Sequence, residues 1–368
     1  MSKPLVLTCD IGTQSARALL VDPDGRIVDV VQSKYAEPYF SKEPGWAEQK
    51  PDFYFDRLCE CCRELCARSN ALLPDVIAMT ITVIRDTVVC LDENNNPLRD
   101  IILWLDKRSV DPNGAMPAKN MMVFKLAGME PTAKVVYAAS AGNWIMRHEP
   151  EIWAKTAKYV MLPTYLNYKL TGNLIDSASN QIGHIPFDYK NRRWMKPGSL
   201  TRCFCDVPNE KLCDLVPSGT VIGTITDEVS ALTGIPAGLP LISTGSDKGC
   251  ETLGLAVVDS DKASISLGTT ATIQFSTTQY VEPQQFLPAY PGVLNDHYNP
   301  EIEIYRGLWL LSWFVKEFGT ADAIVAKEMG MAPEALLDAR IRDLPAGSDG
   351  LLLQPYWTAG ILHPDSLG

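Results

Sequence analysis

Three short stretches carry residues whose types and spacing suit phosphate chemistry. The first is Asp10-Ile11-Gly12-Thr13-Gln14-Ser15. Glycine at its tip lets backbone N–H groups approach an anion with no Cβ in the way. Thr13 and Ser15 add hydroxyl donors, with Gln14 between them in the same turn. Asp10 can hold Mg²⁺ through water, the usual manner for a hard cation with few protein ligands. The second stretch, Ser266-Leu267-Gly268-Thr269-Thr270, again sets Gly-Thr between apolar runs. Two such hairpins can grip a nucleotide from both sides. Between them lies Ser243-Thr244-Gly245-Ser246-Asp247-Lys248-Gly249-Cys250. Its Asp247, in a glycine-flanked loop after a strand, is placed to accept the proton of an attacking hydroxyl. Taken singly, an Asp-x-Gly-Thr match is also an ordinary tight turn, and Asp247 a solvated turn residue. The repetition of the hairpin favours nucleotide binding, through Asp10, Gly12, Thr13, Gln14, Gly268, Thr269 and Thr270.

Periodicity supplies the elements that must position these residues. Residues 5–9, 16–21 and 27–31 read as strands, the last two joined by the turn Asp22-Pro23-Asp24-Gly25. Residues 51–68 have helical spacing, with Phe55, Leu58, Cys62 and Leu65 on one side. Residues 76–81 and 87–91 are further strands, so the order β-β-β-α-β-β predicts a mixed α/β domain. Helices are predicted over 144–157, 163–170, 209–215, 308–318 and 333–341, and strands over 239–244, 263–267 and 271–275. The second strand–Gly-Thr–strand unit reads as a weak internal duplication. It predicts two domains, residues 1–240 and 241–368.

Composition narrows the classes. The chain has 368 residues, 46% hydrophobic and 21% charged, ordinary for a soluble globular protein. Its formal charge of −11 argues against a nucleic-acid partner. An anionic cosubstrate then needs a metal, backbone N–H groups or a few placed cations. No apolar run is long enough to span a bilayer, so no membrane partner is expected. No secretory signal is read at the N-terminus. Ten cysteines show no repeated CxxC pair. Cys59, Cys61, Cys62 and Cys66 permit a zinc site, but their helical spacing favours core packing. With no signal, this predicts a reducing cytoplasm. Four scattered histidines give no metal spacing, and His148 and His184 read as structural. Neither a P-loop nor a G-x-G-x-x-G motif is present.

At its three phosphate-type stretches the chain resembles the FGGY family of sugar and polyol kinases. Further similar stretches are Gly45-Trp46-Ala47-Glu48-Gln49, Ile102-Leu103-Trp104-Leu105-Asp106-Lys107-Arg108, Arg147-His148-Glu149-Pro150-Glu151-Ile152-Trp153 and Leu162-Pro163-Thr164-Tyr165-Leu166. The resemblance covers essentially the whole chain. It implies the actin-like, ribonuclease-H-like ATPase fold, with two domains, a cleft between them, ATP and Mg²⁺. It implies phosphate contacts at the Gly12 and Gly268 hairpins and a catalytic base at Asp247.

The substrate side is read on both grounds. Val83-Ile84-Arg85-Asp86-Thr87 resembles a glycerol-kinase stretch that holds substrate hydroxyls, with Asp86 where that stretch has Glu. The region from Trp144 to Tyr165 is closer to xylulokinases. As chemistry, Arg85 donates, Asp86 and Asp106 accept, and Trp104 offers a flat face to a carbon chain. Arg85 and Asp86 also fit a surface ion pair, and Trp104 a core position. The expected substrate is a small sugar or polyol, a pentulose such as xylulose or a glycerol-like polyol. A non-catalytic sugar-binding or regulatory protein on the same fold is the alternative, and an actin-like or chaperone-like ATPase a weaker one. A homodimer is an open expectation. Gly350-Leu351-Leu352-Leu353-Gln354-Pro355-Tyr356-Trp357 and His363-Pro364-Asp365 resemble the stretch before the last third of the family's second domain. That implies an incomplete second domain lacking its adenosine pocket.

Overall fold

Leu5, Leu7, Cys9 and Ile11 are buried while the residues between them are half-buried, which is a strand covered on both faces. In the computed structural model this strand is β1 (Leu5–Ile11), at the middle of the larger sheet. The structure describes residues 3–268, 270–284, 287–304 and 307–353. The expected Thr269 contact and the stretches 354–357 and 363–365 lie outside them.

The chain returns as β2 (Ser15–Val21) and β3 (Ile27–Lys34), both antiparallel. Asp22 builds the turn between them. Its side chain accepts from the N–H groups of Asp24 and Arg26, and Gly25 takes the left-handed φ of 77°. Helix α1 (Phe53–Arg68) then crosses over and lays β4 (Val76–Val83) parallel to β1, pairing Asp10 with Thr82. The buried face of α1 holds Tyr54, Phe55, Leu58, Leu65 and all four clustered cysteines, so the thiols pack as core. Two later strands complete the sheet: β5 (Val221–Thr224) and β6 (Pro240–Ile242). The order is β5-β6-β4-β1-β2-β3. Pro240–Ile242 pairs with β4, so the first sheet closes on residues either side of the expected division at 240/241. Helix α2 (Leu162–Thr171) opens on Pro163 and ends at Gly172, whose φ of 81° caps it.

Two predicted helices are corrected. The span 144–157 divides into Ala141–His148 and Pro150–Lys155, because Pro150 cannot continue a helix but starts one well. Residues 209–215 form a 3₁₀ turn, Asn209–Lys211, and then the strand Asp214–Val216, drawn into pairing with Ile175–Ser177.

A second sheet holds β7 (Ala263–Leu267), β8 (Ala271–Phe275) and β9 (Glu301–Ile304), all antiparallel. The β7–β8 hairpin repeats the β1–β2 hairpin, and each closes on a glycine N–H: Gly12 to Ser15 O and Gly268 to Thr270 O, both 3.0 Å. The second sheet's alternation faces the other way. Ser264, Thr272, Gln274 and Glu301 are buried, while Ile265, Leu267, Ile273 and Ile302 are exposed.

Candidate active site

Asp10 and Arg17 sit directly opposite across the first hairpin, and the pairing brings Arg17 Nη1 2.7 Å from Asp10 Oδ2. Burial pushes the Asp10 carboxyl up and Arg17 pulls it back. The negative charge of Asp247 adds to the rise, and Lys248 opposes it. Two carboxylates from different elements therefore share one local field. At the tip, a Cβ on Gly12 would come 3.3 Å from Ser15 O. The Thr13 hydroxyl accepts the Trp104 indole N–H at 2.9 Å, and the carbonyl of the exposed Gln14 accepts the Tyr35 N–H at 2.9 Å.

Asp247 opens helix α4, counting Asp227–Thr233 as α3; α4 spans Asp247–Gly254. Ser246 caps it, its hydroxyl accepting from the Gly249 N–H at 3.2 Å. The loop before it is tied to the first sheet and to the 177–179 segment. Thr82 donates to Gly245 O at 3.1 Å, Ser246 N–H to Ser179 O at 3.2 Å, Thr244 to Ile81 O and Ser177 to Thr244 O. These bonds hold the Asp247 carboxylate at a helix N-terminus, a quarter exposed. Lys248 reaches the second sheet, donating to Ser266 Oγ at 2.7 Å.

Arg85 follows β4 and enters the interior. It meets Glu301 of β9 through two hydrogen bonds of 2.9 and 3.1 Å, lies 3.6 Å from Asp247 and stands over the Tyr290 ring. Burial opposes its charge, yet Glu301 and Asp247 hold its pKa above the ordinary arginine value. Gln274 also donates to Glu301. Asp86 pairs with His184, whose Nδ1 is 2.7 Å from Oδ2. Burial opposes the charge on each. Their mutual attraction nevertheless holds Asp86 below the usual carboxylate value and His184 above the usual histidine one.

A cavity of about 690 Å³ is lined by Thr13, Arg85, Asp86, Trp104, Asp247, Gly268 and Thr270. Seven expected site residues, from both hairpins and both sheets, thus share one wall. Asp10, Gly12 and Gln14 do not line it, and neither does Asp106. Asp106, expected to accept from substrate, is turned into the protein. Both its oxygens accept from Arg108, Oδ2 also takes the Ala47 N–H at 2.6 Å, and its side chain is 2% exposed. Arg108 is nearby in sequence, stacks on Trp46 and bonds Glu48, which completes a buried ionic knot.

The cavity also holds His184, Lys248, Tyr290, Glu301 and Glu303, which sequence reasoning did not select. Lys248 adjoins Asp247 and carried a signal in its position. Glu301 and Glu303 alternate with Ile302 and Ile304, a strand pattern whose polar side turned out to be the inner one. Burial pushes the Glu303 carboxyl up, Arg85 opposing and Glu301 adding. Among the described residues no cluster of three His, Cys, Asp or Glu forms a metal cage, and no helix is long and apolar enough to cross a membrane.

Comparisons with known proteins agree with this architecture. Residues 5–254 match the FGGY family of carbohydrate kinases, N-terminal domain. A sugar kinase of Escherichia coli K12, YgcE, is 25% identical over 100% of this chain and 67% of its own. The xylulose kinase of Bacillus subtilis is 24% identical over 95% of this chain and 67% of its own. The solved structure of a xylulose kinase from Lactobacillus acidophilus superposes with a TM-score of 0.76 at 22% identity, covering 96% of this chain and 69% of that one. The chain thus spans about two thirds of the length of these relatives, and it shares their two-domain, actin-like α/β fold. With a match that takes in the Gly12 hairpin, Arg85, Asp86 and Asp247, the chain belongs to the FGGY family of carbohydrate kinases.

Proposed function

We propose that this site transfers the γ-phosphoryl group of ATP to a hydroxyl of a small sugar or polyol, with Asp247 as general base. The observation that carries the reading is the shared cavity, where Thr13, Gly268 and Thr270 meet Arg85, Asp86, Trp104 and Asp247. Residues 1–240 would supply the sugar side and 241–368 the nucleotide side. The acceptor, a short pentulose or a glycerol-like polyol, lies along Trp104. Asp247 takes its proton as the hydroxyl attacks. Thr13, Thr270 and the backbone of the two hairpins contact the phosphates, and Lys248 offsets their charge. Excluding water from the cavity strengthens each of these contacts.

A divalent cation fits the site, because Asp10 and Asp247 feel each other's charge and both offer hard oxygen donors. Those two residues would hold it, through water at Asp10. When bound, it neutralises charge on the transferring phosphoryl group. A non-catalytic, sugar-binding role on the same fold is the second reading. It is favoured by one observation, the engagement of Arg85 with Glu301 rather than with open solvent.

The test is ADP release from MgATP by the full chain across polyols, ketoses and sugar acids. Release that depends on one class supports the kinase. Sugar binding without release supports the second reading, and sugar-independent hydrolysis sinks both.

A further inference from the structure

The chemistry proposed above leaves His184 without a task, although the chain is shaped on both sides to seat its ring. Asp86 adopts φ 46°, uncommon for a residue with a side chain. Its N–H donates to Ile182 O at 3.1 Å. Oδ1 accepts the His184 N–H at 2.9 Å and Oδ2 faces Nδ1 at 2.7 Å. Between Ile182 and His184, Gly183 has φ 146°, and a Cβ there would lie 2.3 Å from Asp86 Oδ1. The Tyr189 hydroxyl bonds both the N–H and the C=O of Gly183, at 3.2 and 3.0 Å. A strained acid, a glycine that admits no side chain and a tyrosine clamp together fix one imidazole on the cavity wall.

The charge state follows from what surrounds the pair. Asp86 is half-buried, with 28% of its side chain exposed, and its sequence neighbour Arg85 is already engaged by Glu301 and Asp247. Compensation of the Asp86 charge therefore falls mainly on His184, which makes two hydrogen bonds to it, with Arg85 adding at longer range. With Nδ1 committed to Asp86, Nε2–H is the ring's remaining polar group, and it has no partner among the described residues. A charged imidazole can donate there but cannot accept. Its ligand must then offer an acceptor oxygen; a carbonyl or a carboxylate does so with no hydrogen of its own to place, whereas a hydroxyl must find a second partner for its proton. Arg85, the cation adjoining Asp86 in sequence, is already taken by Glu301 and Asp247, which disfavours a carboxylate beside His184.

Resting on the kinase reading, we propose that His184 is the specificity residue of this site and that its Nε2–H binds the carbonyl oxygen of an open-chain ketose. The test uses three ligands with one five-carbon skeleton: xylulose, xylitol and xylonate. Their affinities for the full chain are measured by calorimetry, for the wild type and for His184→Phe and His184→Gln. The wild type should prefer xylulose over xylitol by about tenfold or more, the usual worth of a hydrogen bond to a charged group. His184→Phe should keep the affinity for xylitol and bring the ratio near one. His184→Gln, which retains a donor, should restore part of it. A merely structural histidine would lower the melting temperature and leave the ratio unchanged, which overturns the inference while the kinase reading stands. Tightest binding of xylonate also overturns it. Failure of the wild type to bind any of the three overturns the ketose assignment, while the kinase reading is decided separately by ADP release across the wider panel.

Discussion

Asp247 is held by its backbone more than by its side chain. Ser246 caps its helix, and the loop before it is bonded to Ile81 and Thr82 of β4 and to the 177–179 segment. Asp247→Asn should therefore leave the fold intact and lower kcat by about 10²–10⁴-fold, the range for loss of a general base. Unchanged turnover would remove it from that role. Glu301 is the opposite case, since its partner Arg85 is itself only 16% exposed. Glu301→Gln leaves a guanidinium without its bidentate acceptor and should cost on the order of 3 kcal/mol, read as a fall in the urea midpoint. Asp176 offers a pH signature. It is fully buried, and Thr164, Asn167, Asn180, Gln181 and the Ser177 N–H all donate to it, yet burial pushes its carboxyl up to about 6. The folded state thus holds this proton more tightly than the unfolded chain, where the value is about 3.9. The group's contribution is fully present below about pH 4 and is lost as pH rises through about 6. The loss is about 3 kcal/mol for two units of difference. Urea midpoints at pH 4.5 and 7.5 should differ in this sense, and Asp176→Asn should reduce the difference. At this scale the sequence showed the Asp10, Thr13 and Asp247 motifs because each is a few contiguous residues. It could not show that Arg85 meets Glu301, 216 positions away, or that Arg108, two residues on, takes both oxygens of Asp106.

Elements were legible where their cause is local. The β2–β3 turn is written in Asp22-Pro23-Asp24-Gly25, and α1 in the spacing of Phe55, Leu58, Cys62 and Leu65. Where the cause is a distant partner, the pattern misled. Asp214–Val216 has helical neighbours in sequence but a waiting strand edge in space. The segment from Ile182 to His184 is irregular for a similar reason, being shaped by Asp86, which is distant in sequence but bonded to both its ends. Gly183→Ala should disturb it from two directions at once, a disfavoured φ and a Cβ driven onto Asp86. We expect a stability loss of about 1–3 kcal/mol, together with weakened sugar binding. A variant that matches the wild type in melting temperature would show that the loop can relax.

Across the whole molecule the two sheets treat water differently. The first buries its central strand β1 and exposes apolar residues mainly at its edges, Ile27, Val28 and Val30 of β3 and Val221 of β5. The second turns Gln274 and Glu301 inward to serve the cavity and leaves an isoleucine row, Ile265–Ile273–Ile302, on its outer face in register. With the polar row turned toward the cavity, the apolar side of these strands faces outward. The colloidal behaviour of the chain follows from that reversal. A net charge of −11 repels copies, but at physiological salt that repulsion is screened beyond a Debye length of about 8 Å, so copies approach closely and the isoleucines can meet. Solubility should therefore fall as salt is raised, the reverse of ordinary salting-in, with binding of a hydrophobic dye in proportion. Ile273→Lys should abolish both without touching ligand affinity, because its exposed side chain is on the face opposite its buried neighbours Thr272 and Gln274.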